Sequence, residues 1–385
     1  MKMKILLCAN TAWSLFNFRN GLIRHLLAAG YQITILAPHD AFSEKLAALG
    51  CTVLDLPMSA KGVNPVEDIR LTRFLHASYR TLRPDFIIHY TIKPNIYGSI
   101  AAHLAGIPSI AITTGLGYTF VNDNLVARIA RRLYQFAFCF PKEVWFLNED
   151  DRQIFLNYGL VSGEKAVLVQ GEGVDLQHFA PQPQAPVDGK FRFLLIARML
   201  WDKGVGEYVD AARMVRACYP DATFQLLGAC GVPNPSVIGR EQIAQWEREG
   251  LVEYLGTTDD VRPRIAQADC VVLPSYREGI PRTMIESAAM AKPLIASDAP
   301  GCRDVVQDGI TGYMCAVKDA KSLAECCIRM LEISTQEREQ MGRAGRAMMA
   351  EVFNEEKVIA HYMATLHKYG IMLQPSSALL STSHS

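Results

Sequence analysis

Two glutamates, Glu278 and Glu286, flank a Gly279-Ile280-Pro281 turn in "SYREGIPRTMIESAAMAKPLIAS", with seven residues between them. "CVVLPS" before the turn reads as a strand end, and "PRTMIESAAMA" after it reads as a helix with Pro281 at the first position. Ile285, Ala288 and Ala289 then share one face, suited to packing on a sheet. A helix start offers unpaired N–H groups and the positive end of the helix dipole. Gly279, Ile280, Arg282 and Thr283 therefore form a seat for a diphosphate. Carboxylates are poor phosphate ligands, so Glu278 is assigned to sugar hydroxyls on one side and Glu286 to a ribose diol on the other. A helix start that merely favours acids would explain Glu286 alone. "LLIARMLWDKGVGEYVDAARM" supplies cations: Arg198 follows a strand and Lys203 precedes a helix. Cations beside a departing diphosphate stabilise the charge that grows as the bond breaks, each such contact contributing roughly 3–4 kcal/mol in the transition state. This chemistry describes a nucleotide-diphosphate sugar.

Such a site needs two sheets to frame it. "KILLCA", "QITILA", "TVLDL", "DFIIHY", "SIAIT", "EVWFL" and "AVLVQ" in the first half read as strands. "FRFLLIA", "ATFQLLG", "VEYLG", "CVVLP" and "PLIAS" do so in the second. Continuous apolar strands separated by helix-length segments indicate parallel sheets covered on both faces. The pattern predicts an α/β chain of two doubly wound, Rossmann-like domains whose carboxyl edges face an interdomain cleft. The Pro-rich stretch His178–Lys190 reads as the linker. The expected division is 1–180, a linker 181–190, 191–353, a final helix 354–370 that packs back on the first domain, and a disordered tail 371–385. At 385 residues, two domains are also the natural expectation from length.

The chain carries 39 basic and 39 acidic residues, so no global field recruits nucleic acid or anionic lipid. Cys8, Cys51, Cys218, Cys270 and Cys315 are scattered, without the paired spacing of zinc or redox sites. They read as reduced core thiols of a cytosolic protein. "MKMKILLCAN" is too short and lacks the cleavage site of a signal peptide, and the glycines and prolines of 94–122 break any spanning helix. No Asp-x-Asp triplet or carboxylate cluster suggests magnesium. No metal and no cofactor is expected, and diphosphate neutralisation falls to Arg198, Lys203 and the helix start.

"SYREGIPRTMIESAAMAKPLIASDAPGCRDVVQDGITGYM" resembles the signature of retaining glycosyltransferases of family 4, which have the GT-B fold. "ARMLWDKG" is similar to that family's Arg and Lys pair, and "VQGEGVDLQHFAP" to the segment leading into its linker. Ala197 and Lys292 stand where glycine is usual, away from the assigned ligands. The resemblance implies a hexosyltransferase using a UDP-sugar, with Glu278, Arg198 and Lys203 catalytic. It also implies attack on the face from which the leaving group departs.

In the first half, "NTAWSLFNFRNGLIRHLLAAGYQITILAP" lacks a Gly-Gly loop, and Asn17 and Arg19 are expected in the turn between strand and helix. "HYTIKPNIYGSIAAHLAGIPSIAITTGLGYTF" places Thr91, Lys93 and Asn95 ahead of one helix, and Thr114, Gly115 and Gly117 after the next strand. These loops resemble those of bacterial enzymes that extend polyprenyl-diphosphate-linked sugars in surface-polysaccharide or glycan assembly, nearest the subgroup transferring N-acetylgalactosamine in an α-1,3 linkage. Asn17, Arg19, His89, Thr91, Lys93, Asn95, Thr114 and Gly115 are accordingly expected at the acceptor. Lys93 equally suits a helix cap or an acid partner, and His89 a satisfied place in the core. Other hexoses, or a nucleotide-sugar 2-epimerase of the same architecture, remain open alternatives.

"NLVARIARRLYQFAFCF" puts Leu125, Ile129, Leu133, Phe136 and Phe140 on one stripe, opposite Arg128, Arg131, Arg132 and Gln135. This is a helix packing on the sheet with a solvated basic face, or with that face on anionic lipid. Arg70, Arg73, Arg80 and Arg83 add to the basic surface of the same half. The second reading predicts peripheral association with the cytoplasmic membrane.

Overall fold

The computed structural model describes residues 3–58, 64–116, 125–183, 189–232 and 234–373. Gly117, much of the Pro-rich stretch (184–188) and most of the expected tail (374–385) lie outside the described residues. The chain forms two compact units. Unit 1 comprises 1–146, 152–168 and 359–385, and unit 2 comprises 147–151 and 169–358.

In unit 1 the strands are β1 (Lys4–Cys8), β2 (Gln32–Ala37), β3 (Thr52–Asp55), β4 (Phe86–Tyr90), β5 (Ser109–Thr113), β6 (Glu143–Phe146) and β7 (Ala166–Leu168). They pair in parallel in the order β3-β2-β1-β4-β5-β6-β7. In unit 2, β8 (Phe191–Ile196), β9 (Ala222–Leu227), β10 (Glu253–Tyr254), β11 (Cys270–Leu273), β12 (Leu294–Ser297) and β13 (Gly312–Cys315) run parallel in the order β10-β9-β8-β11-β12-β13. Every strand expected from sequence is present, and β13 is added. That strand is only four residues long and opens on glycine, so it carries little apolar signal.

The near-continuous apolar strands are buried on both faces, as sheets covered by helices require. Along β8, Phe193 and Leu195 join one core with Tyr208, Val209 and Phe224. Leu194 and Ile196 join the opposite core with Ile285, Ala288 and Ala289. The helical stripe read from sequence thus packs where expected. Cys8, Cys51, Cys270 and Cys315 are buried thiols, whereas Cys218 is exposed at a helix end.

The division of the chain differs from the sequence reading. The polypeptide leaves unit 1 after Leu168, ahead of the Pro-rich stretch, and Phe179 within that stretch is buried in unit 2. A second, short segment, 147–151, also belongs to unit 2. From Ile359 onward the chain rejoins unit 1. There His361 and Tyr362 contact the Trp145 ring (centroids 4.7 and 4.6 Å), and Tyr362 shares a 3.1 Å hydrogen bond with Tyr90. Glu143 on β6 accepts from Trp145 Nε1 (2.8 Å), Lys368 Nζ (2.6 Å) and Tyr369 Oη (3.0 Å), fastening the end of the last helix.

The helix Leu125–Ala137 is oriented differently from the expected stripe. Among its described side chains Tyr134 and Ala137 are buried, as is Phe138 just past its end, and the Tyr134 and Phe138 rings meet Phe155 at 5.3 and 5.7 Å. Ile129 and Phe136 are instead 47% and 57% exposed, beside exposed Arg128 and Arg132. The aromatic contacts select the buried face, so part of the apolar stripe is left in solvent with the arginines. No helix among the described residues is long and apolar enough to cross a membrane.

Candidate active site

Unit 2 reverses its strand order between β8 and β11, the place where open α/β sheets bind ligands beyond their carboxyl edge. The two loops that leave these strands carry the residues singled out above. After β8 the chain passes exposed Arg198 and forms a single 3₁₀ turn, Trp201–Lys203. Gly204 then takes φ 71°, and a Cβ there would lie 2.1 Å from Pro274 O, so only glycine lets the two loops meet this closely. Tyr276 N and Ser275 Oγ both donate to Asp202 O, at 3.0 and 3.1 Å, and lock the loops together.

The result brings Lys203 Nζ to 2.5 Å from Glu278 Oε1. The pair is mostly shielded, with side chains 19% and 15% exposed. Glu278 N donates to Pro300 O at 3.0 Å. Behind it, Gly301 (φ 78°) leaves room that a Cβ would close, at 2.4 Å from Glu278 O.

The helix starts one residue later than expected. Pro281 is the extended N-cap residue (φ −74°, ψ 109°) and Arg282 opens Arg282–Ala289. Met284 N and Ile285 N both bond to Pro281 O, and the first-turn amides before them have no preceding helical carbonyl to bond. Arg282 Nε lies 2.8 Å from Glu286 Oε1, and its Nη1 donates to Gly173 O at 2.9 Å. Glu286 is only 8% exposed. Burial pushes its carboxyl above the usual range, and Arg282 opposes that rise. Thr283 Oγ1 donates to Ile196 O at 3.2 Å, tying the helix start to the end of β8. The structure therefore gathers Lys203, Glu278, Arg282, Thr283 and Glu286 at one edge, with each glutamate already held by a cation.

Three further residues at this edge were not read from sequence. Asn148 Nδ2 donates to Gly279 O (2.6 Å) and Glu278 O (3.4 Å), and Asp151 pairs with the Arg277 guanidinium. Asn148 and Asp151 lie more than a hundred residues upstream of the loop they touch, in the segment of unit 2 that follows β6. The sequence signal was an Asn directly after the "EVWFL" strand, at a helix start.

Unit 1 revises several acceptor assignments. Asn17 and Arg19 are not in a turn: Thr11 caps the helix Ala12–Ala28, and both residues lie inside it. Thr11 Oγ1 accepts from Ser14 N at 3.1 Å, and the helix runs on from Ala12 through Gly21. Asn17 is exposed, and its Nδ2 donates to Trp13 O. Arg19 is buried, with its guanidinium 4.6 Å above the Tyr90 ring. His89 is fully buried on β4, where its Nε2 and Tyr79 Oη lie 3.1 Å apart. Burial drives its pKa down to about 3, against a small opposing effect of the Ile110 backbone. It is a core residue.

Lys93 and Asn95 lie within the helical run that opens at Ile92, not ahead of it, in and beside a widened π-turn, Pro94–Gly98. Lys93 pairs with Asp68 at 3.2 Å. Asn95 is buried and donates to Ile112 O at 2.8 Å, a bond that ties the turn to β5. Thr91 follows β4 with φ 70°, a left-handed conformation that is rare for a β-branched residue. Thr114 and Gly115 follow β5, half-buried.

Each half of the chain matches a known family. Residues 4–146 match one described as glycosyl transferase 4-like, and residues 190–332 one described as glycosyl transferases group 1. A Campylobacter jejuni protein, N,N'-diacetylbacillosaminyl-diphospho-undecaprenol alpha-1,3-N-acetylgalactosaminyltransferase, is 29% identical over 95% of this chain and 98% of its own length. An Escherichia coli UDP-Gal:alpha-D-GlcNAc-diphosphoundecaprenol alpha-1,3-galactosyltransferase is 23% identical over 72% of this chain and 74% of its own. Among solved structures, a glycosyltransferase from Rickettsia africae superposes with TM-score 0.78 at 17% identity, covering 96% of this chain and 98% of that one. Anabaena HepE in complex with UDP superposes with TM-score 0.77 at 20% identity, covering 95% and 100%. These likenesses carry the GT-B fold. With two parallel Rossmann-like sheets and a matching family on each, the chain belongs to the glycosyltransferases of the group 1 and 4-like kind.

Proposed function

We propose that this protein is a retaining, metal-independent glycosyltransferase. It moves an N-acetylhexosamine, N-acetylgalactosamine in an α-1,3 linkage, from a UDP-sugar to an undecaprenyl-diphosphate-linked saccharide. The observation that carries this reading is the mostly shielded Lys203–Glu278 pair beside the start of Arg282–Ala289, at the strand-order reversal of unit 2. Likeness over nearly full length to the Campylobacter jejuni enzyme supports the choice of sugar and acceptor.

Arg198, Lys203 and the amides of Gly279, Ile280 and Thr283 face the diphosphate, and Arg282 holds Glu286 toward the ribose diol. Glu278 accepts from sugar hydroxyls. An acceptor hydroxyl attacks the anomeric carbon on the face the diphosphate leaves. A new carbon–oxygen bond forms as the bond to phosphate breaks, and a leaving phosphate oxygen takes the hydroxyl proton. Positive charge at Arg198 and Lys203 offsets the charge developing on the diphosphate. On unit 1, Thr91, Lys93, Thr114 and Gly115 at the ends of β4 and β5 serve the acceptor.

Peripheral attachment to the inner face of the cytoplasmic membrane completes the reading. Its support is the exposed set Ile129, Phe136, Arg128 and Arg132, with Leu104 also 62% exposed on unit 1. Apolar side chains insert at the headgroup boundary while arginines meet anionic lipid.

The test is a screen of UDP-sugars against a synthetic polyprenyl-diphosphate sugar in the presence of EDTA, with product anomericity read by NMR. Expected is an α-linked product from UDP-N-acetylgalactosamine, lost in Glu278→Ala. Epimer formation from donor alone, a β-linked product, or near-normal turnover by Glu278→Ala would each overturn the reading.

A further inference from the structure

We infer that Asn148 and Asp151 are positioning residues that aim Glu278. The inference rests on the reading of Glu278 as the acid that grips the donor sugar. It names the residues that set the direction of that grip.

Asn148 uses its amide in two directions. Its Oδ1 accepts from Asp151 N at 2.8 Å, which is ordinary capping of the helix Glu149–Asn157. Capping leaves the NH₂ group over, and here that group reaches Gly279 O at 2.6 Å and Glu278 O at 3.4 Å. The shorter bond holds the peptide between Gly279 and Ile280, and the longer one the peptide between Glu278 and Gly279. Together they restrain the backbone on the C-terminal side of Glu278, and with it the exit direction of its side chain.

One residue earlier, Arg277 is anchored by Asp151, whose side chain is 1% exposed. A carboxylate buried this far costs free energy that an apolar residue would not. What it brings is a fixed geometry at the base of the loop. On the other side, Glu278 N is held by Pro300 O, and Gly301 lies against Glu278 O. The loop is therefore held from two directions, and Asn148 and Asp151 form one of them.

The test uses the full chain and calorimetric affinities for UDP, UDP-N-acetylgalactosamine, UDP-N-acetylglucosamine, UDP-galactose and UDP-glucose. Asn148→Asp keeps the capping oxygen and replaces the donor with an oxygen facing two carbonyls. Asp151→Asn keeps shape and removes the ion pair, and it serves should the first variant not fold. Expected is a loss of about ten-fold in affinity for the bound UDP-sugar relative to UDP, with UDP itself within about two-fold. Adding Asn148→Asp to Glu278→Ala should cause no further loss, because both act through one side chain.

If Glu278→Ala leaves the ratio unchanged, the reading of Glu278 fails. If Glu278→Ala lowers it while both upstream variants leave it intact, the positioning inference is overturned and the reading stands. Equal weakening of UDP and UDP-sugar by the upstream variants also overturns it, since that marks a general structural role. Failure of the unaltered chain to bind any of the five compounds overturns both.

Discussion

Replacing Arg282 with leucine should cost unit 2 stability in a pH-dependent way. Arg282 pairs with Glu286 at 2.8 Å, and the side chains are 16% and 11% exposed. Removing one partner of a buried pair leaves an uncompensated charge and typically costs 3–5 kcal/mol. Residual solvent access brings this pair below that range, to about 2–3 kcal/mol for the charge. The bond from Arg282 to Gly173 O adds about 1 kcal/mol that does not depend on pH.

The sign of the pH effect follows from Glu286. Burial raises its pKa in the folded chain, so the folded state holds the proton more tightly than the unfolded state. Its contribution is then most favourable at low pH and is lost as pH rises through the folded value. Arg282→Leu removes the influence that opposes this rise and so enlarges the loss. At pH 8 the variant should open the helix Arg282–Ala289 roughly 100-fold more often, from a cost of about 3 kcal/mol. Near pH 4 only the pH-independent part should remain.

Hydrogen exchange of peptides covering 282–289, corrected for intrinsic rates, measures the opening. Adding Glu286→Gln should restore about 2 kcal/mol at pH 8, because the buried charge is gone. Equal loss of protection at pH 5 and pH 8, or no recovery in the double variant, would refute this reasoning.

Three other outcomes are expected. Burial alone would raise the Glu143 carboxyl, but donors from Lys368, Trp145 and Tyr369 outweigh it and hold the pKa below the usual range. Its stabilisation is therefore present above the unfolded value and lost as pH falls. Glu143→Gln should speed exchange in 359–370 several-fold at pH 7, with the difference vanishing toward pH 3. Gly301→Ala places a methyl 2.4 Å from Glu278 O in a left-handed conformation, so steady-state turnover should fall about ten-fold or more while circular dichroism stays unchanged. Phe136→Asp with Ile129→Asp should abolish flotation with anionic liposomes. Arg128→Glu with Arg132→Glu should remove its salt dependence, each arginine contributing about 1 kcal/mol.

Much of the fold was legible because parallel strands buried on both faces must be apolar throughout, and such runs stand out between helical segments. β13 escaped because four residues beginning with glycine carry too little of that signal. The gathering of these acids at the edge of unit 2 was legible for a related reason. Glu278, Pro281 and Glu286 are close in sequence, and the loop and helix that hold them are local structure. The start of the helix was misplaced by one residue, since Pro281 suits both the N-cap and the first turn.

Residues of the first half were read less well because their placement depends on contacts across the chain. Arg19 was expected in a loop, yet Thr11 caps a helix that begins at Ala12, and the Tyr90 ring holds the guanidinium inside the unit. His89 lies against Tyr79, ten residues earlier in sequence and on a different element, and is removed from solvent altogether.

Sequence by itself determined the two apolar rhythms, the acids on either side of a helix start and the nearby cations, because these depend on spacing along one stretch of chain. Only the tertiary structure decided which charges pair, which face of Leu125–Ala137 meets solvent, and that Asn148 and Asp151 brace a loop far downstream. Such outcomes turn on which groups lose their water together, and linear order does not record that.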